Sequence, residues 1–448
     1  MSYNKIVFPN NVGYIIEKLN LCGFEAFMVG GCVRDSILGR APKDWDITTN
    51  ALPEDIKRIF EKTYDTGIKH GTVSVVIDKE NIEVTTYRID GEYSDFRRPD
   101  YVEFTSDIKE DLARRDFTIN AIAYNPKEGL IDYFGGLKDL KDCQIKAVGN
   151  GNKRFHEDAL RMLRAIRFSA QLDFEIEEDT FDAIKKCSHL IKNISYERIR
   201  EEIDKILISP KPMYFNYLYH TGLLEYLIPE FVACYNTKQN NPYHVYNVAD
   251  HIMHTVENVK NTSILRWTML LHDIGKPQKR TTDNDGIDHF YGHQQVSAEY
   301  ANVILNRLRF DKEAIKKITN LIHYHDIGIF DTERSIRQVI SKVGEDSFLE
   351  LIEVQKADAM GQNRIYLDER MIKFDNIIKI YNRIKSERQC LNRRDLAING
   401  YDLISIGMEP GKDLKNMLNY LFECVIENPE LNDKQKLIDL ASKRLCES

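Results

Sequence analysis

The chain has 448 residues, 29% of them charged, and a formal net charge of −8 at pH 7. That length suits about three domains with real cores, and no apolar run approaches the roughly 18–20 residues of a membrane span. The opening Met-Ser-Tyr-Asn-Lys lacks signal-peptide regions, and eight scattered cysteines form no Cys-x-x-Cys, which argues against a disulfide framework or zinc ribbon and for a reducing cytoplasm.

Residues 1–140 mix strand and helix patterns, with strands expected at 24–29, 44–49, 72–78 and 82–87. Pro53-Glu54-Asp55 should open a helix reaching about Glu61, since proline is tolerated in a first turn and acidic side chains suit the dipole. Residues 29–49 are the densest stretch. An apolar strand runs into Gly30-Gly31, a helix carrying Arg34 follows, and Asp44 and Asp46 come on a second strand. Period-two geometry puts those carboxylates on one face, where they repel unless a divalent cation lies beside them. Mg²⁺ held by one or two carboxylates and completed by substrate phosphates fits phosphoryl transfer. The glycines let backbone N–H groups approach an anion at a helix start. The segment therefore reads as a nucleoside triphosphate and metal site, with Glu83 on a neighbouring strand as a candidate third carboxylate.

Residues 90–104 combine turn formers and charge, as a mobile loop does. In Arg114-Arg115-Asp116-Phe117-Thr118-Ile119-Asn120-Ala121, arginine beside Asp and Asn at a helix start could grip triphosphate oxygens or ribose hydroxyls. A surface salt bridge with a capping residue is the plainer alternative. Strand signals nearly vanish after Lys153, and helical patterns follow at 154–171, 178–192, 196–207 and 212–226.

In the first of these, Asp158, Arg161, Arg164 and Arg167 recur every three residues, giving a slanting polar stripe opposite Leu160, Leu163 and Ile166. A carboxylate only accepts and a guanidinium only donates. Presented edge-on to Asp158 and Arg161, cytosine (N4 donor, N3 acceptor) and adenine (N6 donor, N1 acceptor) both match, whereas uracil and guanine clash. Such a pair would admit CTP and ATP, leaving Arg164 and Arg167 to back it and to meet phosphates. A salt-bridged helix face remains the alternative.

Polar breaks at 236–242 and 281–288 punctuate the body, and 243–362 is rich in histidine. His272-Asp273-Ile274-Gly275-Lys276 follows an apolar helix, with His244 upstream and Asp358 downstream. Histidines with carboxylates at helix ends suit a divalent transition metal. A last helical segment runs from about 392, interrupted at Gly407–Gly411.

The order Gly-Gly-x-Val-Arg-Asp, Asp-x-Asp, Arg-Arg-Asp-Phe-Thr-x-Asn-Ala and Glu-Asp-x-x-Arg resembles the bacterial class II tRNA nucleotidyltransferases and the related poly(A) polymerases, over about 1–210. The resemblance returns at Leu396-Ala397-Ile398-Asn399-Gly400-Tyr401-Asp402. It implies an α+β fold: a nucleotidyltransferase head of DNA polymerase beta type at 1–140, an all-helical neck at 141–215, a body at 216–390 and a tRNA-binding tail at 391–448. It also implies Mg²⁺ on Asp44 and Asp46, and nucleotide contacts from Gly31, Arg34, Arg115, Asp158, Arg161, Arg164 and Arg167. The implied reaction is attack by an RNA 3′-hydroxyl on a nucleotide α-phosphate, building or repairing the C-C-A end of tRNA from CTP and ATP with release of pyrophosphate. In that family an intact loop at 90–104 favours adding the adenosine as well as the cytidines. Because the chain is acidic, tRNA should meet a local basic strip of neck and tail, bound mainly through backbone and shape. No protein partner or membrane is implied.

The His…His-Asp…Asp order is similar to the HD phosphohydrolase superfamily, placing an HD domain at about 243–362. His244, His272, Asp273 and Asp358 would be its metal ligands, and His293 with His323 or His325 the extra ligands of a two-metal form. Two rivals stay open: a poly(A) polymerase or A-adding enzyme, and an HD phosphohydrolase whose head only binds nucleotide.

Overall fold

The computed structural model describes residues 6–91 and 101–446. It divides into two compact units, up to Pro229 and from Glu230. The head and neck expected from sequence both fall in the first unit.

The first unit is built on a seven-stranded sheet. Its spatial order is Thr63–Gly67, Thr72–Ile77, Glu80–Thr86, Asp46–Thr49, Ala26–Val29, Ile122–Asn125 and Gly129–Asp132. Asp46–Thr49 and Glu80–Thr86 pair in parallel, and the other neighbours are antiparallel. The strands Ala26–Val29 and Ile122–Asn125 bury every residue. Ala-Phe-Met-Val therefore reads as a continuous apolar run, as a strand covered on both faces should. Phe27, Val29, Tyr87, Leu112, Ala123 and Val148 form a core cluster around it. The helix Pro53–Ile59 has Pro53 in its first turn and Glu54 and Asp55 beside it, as the dipole argument expects.

The helix expected at 212–226 is a 3₁₀ turn, Pro212–Phe215, followed by two short helices, Asn216–His220 and Leu224–Leu227, and three further expectations need correction. Asp44 is not on the strand; it is exposed in a bend, and pairing begins at Asp46. The Arg114–Ala121 motif lies not at a helix start but between the helix Ile108–Ala113 and a 3₁₀ turn, Thr118–Asn120. The helix expected at 154–171 is two helices, Gly151–Glu157 and Leu160–Leu172. Asp158 stands between them with extended backbone (φ −138°, ψ 104°), and its Oδ1 accepts from Leu160 N at 3.0 Å. An aspartate satisfies the orphan N–H groups of a helix start better than it serves a helix interior.

The strip Arg88–Asp90 pairs antiparallel with Val102–Phe104, forming the base of the 90–104 segment. Residues 92–100, on which the loop expectation rests, lie outside the described residues. The second unit is helical apart from a small hairpin, Thr281–Thr282 with Asp288–His289. Near the C-terminus, Leu403, Leu421, Val425, Leu437 and Ala441 make a separate apolar cluster. There Asn399 and Asp402 form a reciprocal cap at the helix Gly400–Ser405, which gives the Leu396–Asp402 motif a structural role. Among the described residues, no helix is long and apolar enough to cross a membrane.

Candidate active site

Gly30 joins the first strand to the helix Gly31–Ile37 with φ 80° and ψ −131°, a region essentially open only to glycine. A Cβ there would also lie 3.0 Å from Arg115 Nη1. Both facts explain the glycine at this turn. One turn into the helix, buried Arg34 donates from Nη1 to Asn120 Oδ1 at 2.7 Å. Asn120 Nδ2 in turn donates to Asp116 Oδ1 at 3.1 Å, and Asp116 Oδ2 accepts Arg164 Nε and Nη2 at 2.8 and 2.6 Å. One hydrogen-bonded chain thus ties the Gly-Gly-x-Val-Arg-Asp segment, the Arg-Arg-Asp-Phe-Thr-x-Asn-Ala segment and the arginine stripe together. Burial alone would raise the Asp116 carboxyl, but Arg164, with Asn120 and Arg161, holds it well below the ordinary carboxylate range.

The guanidinium carbons of Arg34, Arg164 and Arg167 lie 5.1, 5.4 and 4.4 Å from the centroid of the Phe168 ring, so one aromatic ring anchors three cations. Arg167 also pairs with Glu202 at 3.1 Å. Arg115 is held loosely by Asp111 at 3.7 Å, and its buried Nε has no hydrogen-bond partner. That leaves a guanidinium N–H for an incoming anion.

Asp46 lies opposite Glu83 in parallel register, so these carboxylates share one face of the sheet, with Asp44 two residues before. Both remain on the surface, yet crowding raises them. Desolvation lifts Asp46, Arg115 opposes and Asp44 adds; desolvation lifts Glu83, with Asp46 and Asp44 adding. Like charges gathered at one sheet edge are the electrostatic setting in which a divalent cation is favoured. The three do not close to mutual ligand spacing in this structure; the clusters that do, among the described residues, lie in the second unit.

Glu83 also lines a cleft of about 620 Å³ with Asp158, Arg161, Arg88, Asp90 and Arg114. The sequence stripe was expected to turn Asp158 and Arg161 to one helix face. Instead Asp158 is reached from the break before the helix, where Arg198 Nη2 meets its Oδ2 at 3.0 Å. Arg161 is held by Glu157 at 2.6 Å and by the carbonyl of Arg114 at 3.1 Å. Both line the same cleft, each steadied by a partner that spacing did not show.

In the second unit, His251, His272, Asp273 and Asp358 converge, as do Asp273, His293 and His325, with the donor atoms of each group within 4.8 Å of one another. His251 takes the place expected of His244. His251 is on the buried face of the helix Val248–Asn258, whereas His244 lies in the turn before it, its ring 5.1 Å from that of His251. Burial opposes protonation of His272, but the carboxylates of Asp273 and Asp358 beside it push it up to about 10. His244 and His325 go the other way, burial lowering each to about 3.

Comparison with known proteins agrees with this architecture. Residues 26–146 match the poly A polymerase head domain, 173–234 the probable RNA and SrmB-binding site of polymerase A, and 278–441 the tRNA nucleotidyltransferase domain 2. A CCA-adding enzyme of Ligilactobacillus salivarius is 38% identical over 437 residues, covering 97% of this chain and 96% of that one. One of Enterococcus faecalis is 33% identical, covering 96% and 95%. The crystal structure of the Bacillus stearothermophilus CCA-adding enzyme in complex with CTP superposes with a TM-score of 0.73 and 29% identity, covering 98% of this chain and 97% of that one. The chain belongs to the CCA-adding enzyme family of nucleotidyltransferases.

Proposed function

We propose that this chain adds C, C and A to the 3′ end of tRNA from CTP and ATP without a nucleic-acid template, and repairs ends that have lost them. The observation that carries this is the placing of Glu83, in register with Asp46, on the same cleft as Asp158 and Arg161. A nucleotide there has carboxylates for a metal near its phosphates and an acceptor beside a donor near its base. Asp44 and Asp46, with Glu83, would hold Mg²⁺, whose oxygen-ligand chemistry suits exposed carboxylates and substrate phosphates. An ion held there would supply a lowered pKa for the attacking hydroxyl and stabilisation of the leaving oxygens. The tRNA 3′-oxygen forms a bond to the α-phosphorus, the α–β bridging bond breaks, and pyrophosphate departs. Gly31 at the helix start, with Arg34 and Arg115, faces the triphosphate. Asp158 and Arg161 read the base edge, while Arg164 and Arg167 hold Asp116 and Phe168 in position.

The CCA-adding relatives, matched over nearly their whole length, favour this reading over a poly(A) polymerase, which the Asp158/Arg161 pair alone would also admit. Purified protein incubated with tRNA lacking its last three nucleotides, Mg²⁺ and each NTP separates them. CTP followed by ATP, stopping at three residues, is expected. Long A tails, or no incorporation, would overturn the proposal. The eight free cysteines accord with a cytoplasmic setting.

We also infer that the second unit holds a divalent transition-metal ion on His251, His272, Asp273 and Asp358. Hydrolysis of a phosphate ester by metal-activated water is the chemistry such a set supports. Metal-dependent release of phosphate from p-nitrophenyl phosphate, lost in Asp273→Asn, tests the activity.

A further inference from the structure

Asp111, on the helix Ile108–Ala113, is 0% exposed, and its two oxygens meet different sets of donors. Its Oδ2 accepts from Thr48 Oγ1 at 3.1 Å and lies 3.7 Å from Arg115 Nη2. Its Oδ1 accepts Arg114 Nε and Nη2 at 3.0 and 2.7 Å and the backbone N–H of Arg88 at 3.4 Å. Burial alone would raise this carboxyl. Arg114 and Arg115, with hydrogen bonds from Arg114 and Thr48, hold it below the ordinary carboxylate range, so it is a buried anion at neutral pH.

These partners lead to both sides of the cleft. Thr48 is two residues beyond Asp46 on one strand, so their side chains share a face of the sheet, with Glu83 opposite Asp46 and Thr85 opposite Thr48. The Thr48 hydroxyl also lies 3.2 Å from the Thr85 carbonyl, so its one proton is shared between the neighbouring strand and Asp111. Arg114 lines the cleft with Asp158 and Arg161, and its carbonyl accepts Arg161 Nη2 at 3.1 Å. Arg88 lines the same cleft and pairs with Asp90 at 3.1 Å. One carboxylate therefore stands between the strand that carries Asp46 and the arginine against which Arg161 rests. Apolar residues of similar volume often replace a buried ion pair with no loss of stability, so stability is a weak reason for a charge here.

We infer that Asp111 is a positioning residue for nucleotide choice. It fixes the phosphate side of the site, through Thr48 and Arg115, relative to the base-reading side, through Arg114. The inference rests on the reading of the head as a CTP- and ATP-using site and goes beyond it. An amide in place of the carboxylate must turn its NH₂ either to the Arg114 fork or to Thr48 and Arg115, and donors then face donors. Arg161 loses its support, and the loss falls on bases that match both Asp158 and Arg161, because UTP does not make that pair of hydrogen bonds.

The test is single-nucleotide incorporation onto tRNA lacking its last three nucleotides, run well below each variant's thermal midpoint. Asp111→Asn should lower the preference for CTP over UTP, read as the ratio of kcat/KM values, by about tenfold or more. Asp111→Glu, which restores the charge on a longer stem, should not restore the ratio. A merely structural role would lower the midpoint and leave the ratio unchanged; that result, or full rescue by Asp111→Glu, overturns the inference. Thr48→Val leaves the Asp111–Arg114 pair intact and decides the matter if Asp111→Asn does not fold. Its kcat for CMP addition should fall about three- to tenfold with base preference kept, and an unchanged kcat overturns the inference. Unaltered protein that adds no CMP overturns the reading of the head itself, whereas an active protein with an unchanged Asp111→Asn ratio overturns this inference alone.

Discussion

Replacing Asp116 with asparagine keeps the side-chain shape and removes its charge and one acceptor. At Oδ2 two guanidinium N–H groups of Arg164 converge; at Oδ1 the Phe117 N–H and Asn120 Nδ2 converge at 2.8 and 3.1 Å. An amide has a single oxygen, so its NH₂ must face one of these donor pairs. A buried donor left unmet costs about 1–3 kcal/mol. Breaking a fully buried ion pair costs about 3–5 kcal/mol. The Arg164 side chain is 34% exposed, so water recovers part of its loss. We therefore expect Asp116→Asn to cost about 2–3 kcal/mol in urea unfolding at pH 7. The pH dependence has a fixed sign. Asp116 has a folded pKa below the unfolded value of about 3.9, so its contribution is full above that pH and lost as pH falls toward the folded value. The gap between wild type and variant should stay flat from pH 5 to 8 and narrow in more acid solution. With Asn120 released, Arg34 loses its orientation, and kcat/KM for CTP should fall by about 10–100-fold. A stability gap under about 0.5 kcal/mol, or one that widens on acidification, would refute this reasoning.

Asp158→Asn keeps the helix cap but adds a donor at the base edge; preference for CTP over UTP should drop by about tenfold or more in single-nucleotide incorporation. Phe168→Leu removes the ring on which Arg34, Arg164 and Arg167 rest; unfolding should become easier by about 1–3 kcal/mol and KM for CTP should rise. Gly30→Ala forces a Cβ against Arg115 in a backbone region closed to alanine, costing about 1–3 kcal/mol or more, read as a lowered thermal midpoint with lost incorporation. Glu83→Gln should raise the midpoint of metal-free protein while lowering activity. Glu83 has a folded pKa above its unfolded one, so its ionised form penalises the fold at neutral pH, and the gain should vanish as pH falls through that raised value.

The parts legible in the sequence were those encoded over a few neighbouring residues. Gly30-Gly31 before Arg34, Pro53 with two acids, and the helix Tyr196–Leu207 each announce themselves through local backbone chemistry. What the sequence hid was what depends on distant partners or on a single dihedral change. The break at Asp158 is invisible to a three-residue recurrence, because the same aspartate fits a stripe or a cap. The Arg34–Asn120–Asp116–Arg164 chain joins residues up to 130 positions apart in sequence, so spacing cannot show it. The buried strand Ile122–Asn125 carries no alternation, being covered on both faces. His251 is missed among several nearby histidines because only its burial against Asp273 and Asp358 sets it apart from His244.

The most direct test is a crystal of the chain with CTP and Mn²⁺, read by anomalous scattering. We expect a manganese peak between Asp44 and Asp46, and cytosine N4 and N3 facing Asp158 and Arg161. Manganese absent from those carboxylates, or cytosine lying outside that cleft, would contradict the assignment of the head as a CTP- and ATP-using active site.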